Sequence, residues 1–133
     1  MAEASSVKTS VNGNVTGLIP MAFVADVQRS IDFYKLLGME VRGCLKSSSG
    51  NLQWAHATCE RADLMFARAT EPVVASQQAV LFYLYSPDLV ALREHLISAG
   101  IHVSAITYPD YMPKGEVRVE DPDGYILLIG KAD

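Results

Sequence analysis

From Leu18 to Val41 the sequence LIPMAFVADVQRSIDFYKLLGMEV writes a strand, a helix and the opening of a second strand, and 62 residues further on it writes them again. Strand-forming residues up to Val24 meet Asp26, whose carboxylate suits the free N–H groups of a helix start. Val27, Ile31, Tyr34 and Leu37 then recur at helical spacing, and Gly38 can adopt the left-handed conformation that ends a helix. In the copy Asp26 becomes Asp88, Gly38 becomes Gly100 and Val41 becomes Val103, with Leu89, Leu92, Leu96 and Ala99 on the apolar face.

The same offset continues without an insertion: Trp54, His56 and Thr58 map onto Glu116, Arg118 and Glu120, and Leu64 and Phe66 onto Ile126 and Leu128. A strand-helix-strand-strand-strand module written twice confines the chain to folds made of two like halves. It predicts an α+β domain over 18–133, with module 1 about 18–69, a linker over 70–78 and module 2 about 79–131. Residues 1–17 are polar, Ser-rich and without apolar periodicity, and read as a flexible N-terminal extension.

Half of the 133 residues are hydrophobic, enough for one packed domain. A net charge of −4 argues against nucleic acid or an anionic membrane as partner. No run of about 20 apolar residues suggests a spanning helix. The start lacks the order of a signal peptide, so the expected location is cytoplasmic. Cys44 and Cys59 are expected to be buried free thiols, and His95 and His102 surface residues.

Side-chain parity divides the strands into two faces. In the last hairpin, closed by Asp121-Pro122-Asp123-Gly124, Val117, Val119, Leu127 and Ile129 suit the face under the helices. The other face then carries Glu116, Arg118, Glu120, Ile126 and Leu128. Subtracting 62 puts Trp54, His56, Thr58, Leu64 and Phe66 on that same face, with Ala55 and Ala57 under the helix. Strands are expected at Met39–Leu45 and, in the copy, at Ile101–Ile106.

The segments VADVQRSIDFYKLLGMEV and GEVRVEDPDGYILLIG resemble the first and last elements of the vicinal oxygen chelate superfamily, which includes glyoxalases, bleomycin-resistance proteins and extradiol dioxygenases. The resemblance covers about Leu18 to Lys131. It implies two βαβββ modules whose curved antiparallel and mixed sheets form a cup with helices outside, commonly in homodimers. It also puts Ile19, Met21, Phe23, Leu81, Tyr83 and Tyr85 on the cup face. Metal enzymes of the superfamily take His, Gln or Glu ligands from the first and fourth strands, and the matching positions here are Ile19, Phe66, Leu81 and Leu128. Such apolar corners offer a divalent ion no donor, so the chain looks closer to the metal-free bleomycin-resistance branch, with no cofactor.

The expected ligand-binding residues are Phe23, Trp54, His56, Tyr83, Tyr85, Tyr111, Met112, Glu116 and Arg118, and the catalytic candidates are His56 and Glu116. Each has a plainer role open to it. A strand His is often structural, Glu116 and Arg118 are a possible mutual ion pair, and the aromatics are possible cup filling. Tyr108, Tyr111, Met112 and Lys114, in TYPDYMPK, suit a lid. The expected function is a metal-free protein that binds and sequesters an aromatic or cationic small molecule. The alternatives are a lyase, isomerase or dioxygenase using non-standard residues, with His56 working beside Glu116 or Glu120, and a dimeric scaffold with a filled cup.

Overall fold

A computed structural model describes residues 13–133, so most of the expected N-terminal extension lies outside the described residues. Gly13 to Pro20 are exposed and lack regular structure. The first strand, β1, spans Met21–Val24 rather than starting at Leu18. Pro20 has no N–H for a ladder, although its carbonyl accepts from Met65 N at 2.9 Å. Then follow α1 (Val27–Lys35), β2 (Glu40–Lys46), β3 (Leu52–Cys59) and β4 (Ala62–Arg68). The linker holds a short 3-10 helix, Ala75–Gln77, and module 2 supplies β5 (Leu81–Ser86), α2 (Leu89–Ser98), β6 (Glu116–Glu120) and β7 (Ile126–Lys131).

Both helices form for the reasons the repeat predicts. Asp26 accepts from Arg29 N and Asp88 from Ala91 N, and each such cap contributes about 1 kcal/mol. Gly38 and Gly100 close them at φ 89° and 84°. Val27, Ile31 and Tyr34 bury on α1, as do Leu89 and Leu96 on α2; Ala99, expected on that face, is exposed.

The sheets run β1-β4-β3-β2 and β5-β7-β6, with β1–β4 and β5–β7 parallel and the remaining pairs antiparallel. The strand expected at Ile101–Ile106 reduces to isolated bridges, Val103 with Val119 and Thr107 with Glu116. Between them the Ser104 hydroxyl accepts from Arg118 N at 2.8 Å, replacing a backbone rung with a side chain.

The 62-residue correspondence breaks at the last strand. Four residues separate the paired Thr58 and Asp63, whereas five separate Glu120 and Ile126. The offset for β4 and β7 is therefore one greater, and a one-residue slip exchanges the faces of a strand. Leu64 and Phe66, expected in the cup, stand opposite Ala57 and Ala55 and are buried under α1, with the Phe66 ring 5.1 Å from that of Tyr34. Met65 and Ala67 take their places on the open face.

Module 2 is latched to module 1 through its hairpin turn. Asp123 Oδ1 accepts from Ala25 N at 2.8 Å and from Arg29, its Oδ2 accepts from Ser30 Oγ, and Asp121 Oδ2 accepts from Tyr34 Oη at 2.7 Å.

Candidate functional site

Strand pairing sorts the open faces into rows, because directly paired residues point the same way. Across the first sheet Phe23, Ala67, Trp54 and Leu45 form one row, and Met21, Met65, His56 and Gly43 the next. Across the second, Tyr85, Gly130 and Glu116 form one row and Tyr83, Leu128 and Arg118 another. The first face is mostly apolar around one imidazole, and the second combines tyrosines with charge.

On the first face His56 is buried, and its Nε2 lies 2.7 Å from Asp63 Oδ1. Its ring stands 6.4 Å from that of Trp54 at 64°. The hydrogen bond from His56 holds the Asp63 carboxyl below its usual range, with Thr58 and Arg42 adding to the effect. Asp63 was missed in the sequence because the uninterrupted offset paired its neighbours wrongly; the two-residue turn Glu60-Arg61 places it opposite Thr58, two pairs along the ladder from His56 and on the same face.

On the second face Glu116 is buried, and two phenols donate to it: Tyr83 Oη to Oε2 at 2.5 Å and Tyr111 Oη to Oε1 at 2.8 Å. Burial and then the bond to Glu116 raise the Tyr83 phenol well above its ordinary value, and the bond to Glu116 followed by burial raises Tyr111. Both phenols are therefore protonated donors at neutral pH. Tyr85 lies 5.2 Å from Tyr83, ring to ring.

Gly130 admits the loop over this face. A Cβ there would sit 2.7 Å from Met112 Cε and 3.0 Å from Tyr83 Oη, so the bare glycine leaves room for both. Residues 107–115 thus fold back along β6, with Tyr111 and Met112 on the site, while Tyr108 and Lys114 are exposed, the latter paired with Asp133. Arg118 is exposed and makes no ion pair with Glu116, so the mutual pair allowed by the sequence does not form.

His56 pairs with Asp63 rather than with Glu116 or Glu120, and among the described residues the Glu116 side chain bonds only within module 2. A cavity of about 370 Å³ between the modules is nevertheless bordered by Asp63 from one cluster and Tyr83 from the other, with Leu18, Pro20, Arg61 and Leu81 among its walls. Cys44 is exposed rather than buried, Cys59 is half-buried, and His95 and His102 are on the surface.

The donor set does not fit the metal implied by the fold. With the corrected register the repeat partner of Leu128 is Met65, so the four corners are Ile19, Met65, Leu81 and Leu128. A thioether and three hydrocarbons suit no hard divalent cation, and no group of three His, Cys, Asp or Glu among the described residues is placed to hold one.

A βαβββ module paired with a βαββ module, each with an open sheet face, defines a class of protein built around a cup. The family model for the Glyoxalase/Bleomycin resistance protein/Dioxygenase superfamily matches residues 18–129, and the chain belongs to that superfamily. Similar solved structures include a bleomycin-binding protein complexed with bleomycin, at 16% identity over 90% of this chain and 100% of that one with a TM-score of 0.70. A bleomycin resistance determinant encoded on the transposon Tn5 is similar at 16% identity, over 90% and 99% of the two chains, with a TM-score of 0.71. TnmS3, an antibiotic-binding protein from Streptomyces sp. CB03234, shares 17% identity over 90% and 98%, with a TM-score of 0.67. No curated protein sequence matches the chain. Among the described residues no helix is long and apolar enough to cross a membrane.

Proposed function

We propose that this protein is a metal-free small-molecule binder that sequesters an aromatic or cationic compound on its open sheet faces, acting as a cytoplasmic homodimer. The observation that carries this reading is the wall made by Tyr83, Tyr85, Tyr111 and the buried Glu116, which offers ring faces beside an acceptor. Phe23 and Trp54 give the other sheet a planar apolar row, with His56 in the next, and Met112 and Arg118 border the acidic site. The fold's ties to proteins that bind bleomycin or another antibiotic agree with this use.

The test is a panel of planar antibiotics and metabolites titrated against emission from Trp54, the only tryptophan. A hit should change that emission, and calorimetry should give a stoichiometric heat that Trp54→Phe diminishes. Elemental analysis should find no stoichiometric transition metal, and excess chelator should leave the melting temperature unchanged. About one metal per chain, lost in His56→Ala, overturns the metal-free reading.

A second reading, a lyase, isomerase or dioxygenase, draws on the His56–Asp63 contact. A carboxylate that orients an imidazole at 2.7 Å is the arrangement a general base uses. Turnover of a bound compound that is abolished in His56→Gln while binding persists would favour this reading.

A further inference from the structure

Three buried carboxylates among the described residues are provided for very differently. Asp123 meets a guanidinium, a backbone N–H and a hydroxyl. Asp121 receives two backbone N–H groups and the Tyr34 phenol. Among the described residues the Glu116 carboxylate meets two phenols and nothing else, with no Lys, Arg or His within ion-pair distance, although only 6% of the residue is exposed. A carboxylate removed from water without a cation, and with lone pairs to spare, is costly to the free protein. Unlike the two aspartates, it sits on an open face.

We infer that Glu116 is the seat for a protonated primary or secondary amine carried on a planar ring, and that the amine takes the place of the Tyr111 hydroxyl at Oε1. This deepens, and rests on, the small-molecule-binding reading. Tyr111 is the displaceable partner, because its residue is 65% exposed, on a loop, and its phenol finds water when it leaves. Tyr83 stays, donating to Oε2 from within β5. An ammonium N–H brings both a charge and a donor to Oε1, a stronger bond than a neutral phenol makes. A quaternary ammonium would leave that oxygen with no donor. The faces of Tyr83 and Tyr85, 5.2 Å apart and tilted by 47°, meet the ring that carries the amine.

The probes are dansylcadaverine, a planar fluorophore with a primary alkylamine, its N-acetyl derivative, which is neutral, and its trimethylammonium derivative. Binding to the full chain is read by dansyl fluorescence and calorimetry. The amine should bind about tenfold or more tighter than either derivative. Glu116→Gln should erase that preference, bringing the amine and the acetyl form to the same affinity. Tyr111→Phe should tighten the amine several-fold relative to the acetyl form, since Oε1 is then open. A purely structural Tyr111 would give equal weakening of both, which overturns the inference, and this variant remains informative if Glu116→Gln folds poorly. Equal affinity for all three probes in the wild type overturns the amine seat but leaves small-molecule binding standing. Absence of binding by any of them, and by the antibiotic panel, sinks both.

Discussion

The Tyr34 hydroxyl spans the two modules to reach Asp121, and it does so where neither group can turn to water. Burial is the chief cause of the upward displacement of both, since it penalises the phenolate and the carboxylate alike. Tyr34→Phe keeps the ring against Phe66 and removes only the donor, so the loss should be about 1–3 kcal/mol in urea denaturation. Asp121 and Asp63 pull stability in opposite directions in acid. The Asp121 pKa is raised in the fold, so its contribution is present below the ordinary carboxylate value near 3.8 and is lost as pH rises through the folded value. The Asp63 pKa is lowered, so its contribution is present above 3.8 and is lost as pH falls through the depressed value. In His56→Phe the Asp63 carboxyl should move up toward its ordinary value, held below it only by Thr58 and Arg42, and the stability gap from wild type should narrow as pH drops below 3.8. A gap that stays constant through that window would show that Asp63 owes its low value to something other than His56.

At the scale of the strand, face assignment is decided by a single residue of turn length. Phe66 is fully buried against Tyr34, so Phe66→Ala should cost about 3–5 kcal/mol, whereas Met65→Ala, on the open face, should cost about 1 kcal/mol or less. The opposite ranking in urea denaturation would restore the uninterrupted repeat and move Phe66 into the cup. Local signals made most elements legible: the Asp caps, the closing glycines and the helical spacing depend on a few adjacent residues, and the structure keeps the caps, the glycines and most of the apolar face, Ala99 excepted. Parity along β6 was equally local, and Val117 and Val119 are buried as expected. What could not be read was anything requiring two hairpins to be aligned. The extra residue between Glu120 and Ile126 leaves no trace in β4's own alternation, Asp-Leu-Met-Phe-Ala, because leucine, methionine and phenylalanine suit either face. The same limit hid Asp63 as the partner of His56. At Ile101–Ile106 the apolar alternation promised a full strand, whereas in the fold the Ser104 hydroxyl takes the Arg118 N–H and the Ser104 carbonyl accepts from Arg93 Nε.

Considered as a whole molecule, the chain ties its two modules together but leaves its open faces uncovered. The hairpin latch at Asp121 and Asp123 joins the modules on the helix side, while Phe23 and Leu45 remain 63% exposed and Tyr85 67%. Phe23 and Leu45 end one row that crosses four strands through Ala67 and Trp54, so their exposure belongs to a continuous apolar surface rather than to scattered residues. Continuous surfaces of this kind on soluble proteins mark contact with a partner or ligand, and a two-fold pairing of like sheets would cover them on both copies at once. Sedimentation equilibrium at micromolar concentration should therefore give about twice the chain mass of 14.5 kDa. Phe23→Lys combined with Leu45→Lys puts two like charges on that row, outside the buried core, and should return the protein to a monomer that still unfolds in one transition. A wild type that sediments as a monomer would show that these faces serve the ligand alone. A dimer indifferent to both lysines would mean that the chains meet through another surface, such as the exposed Val90 and Ile97 of α2.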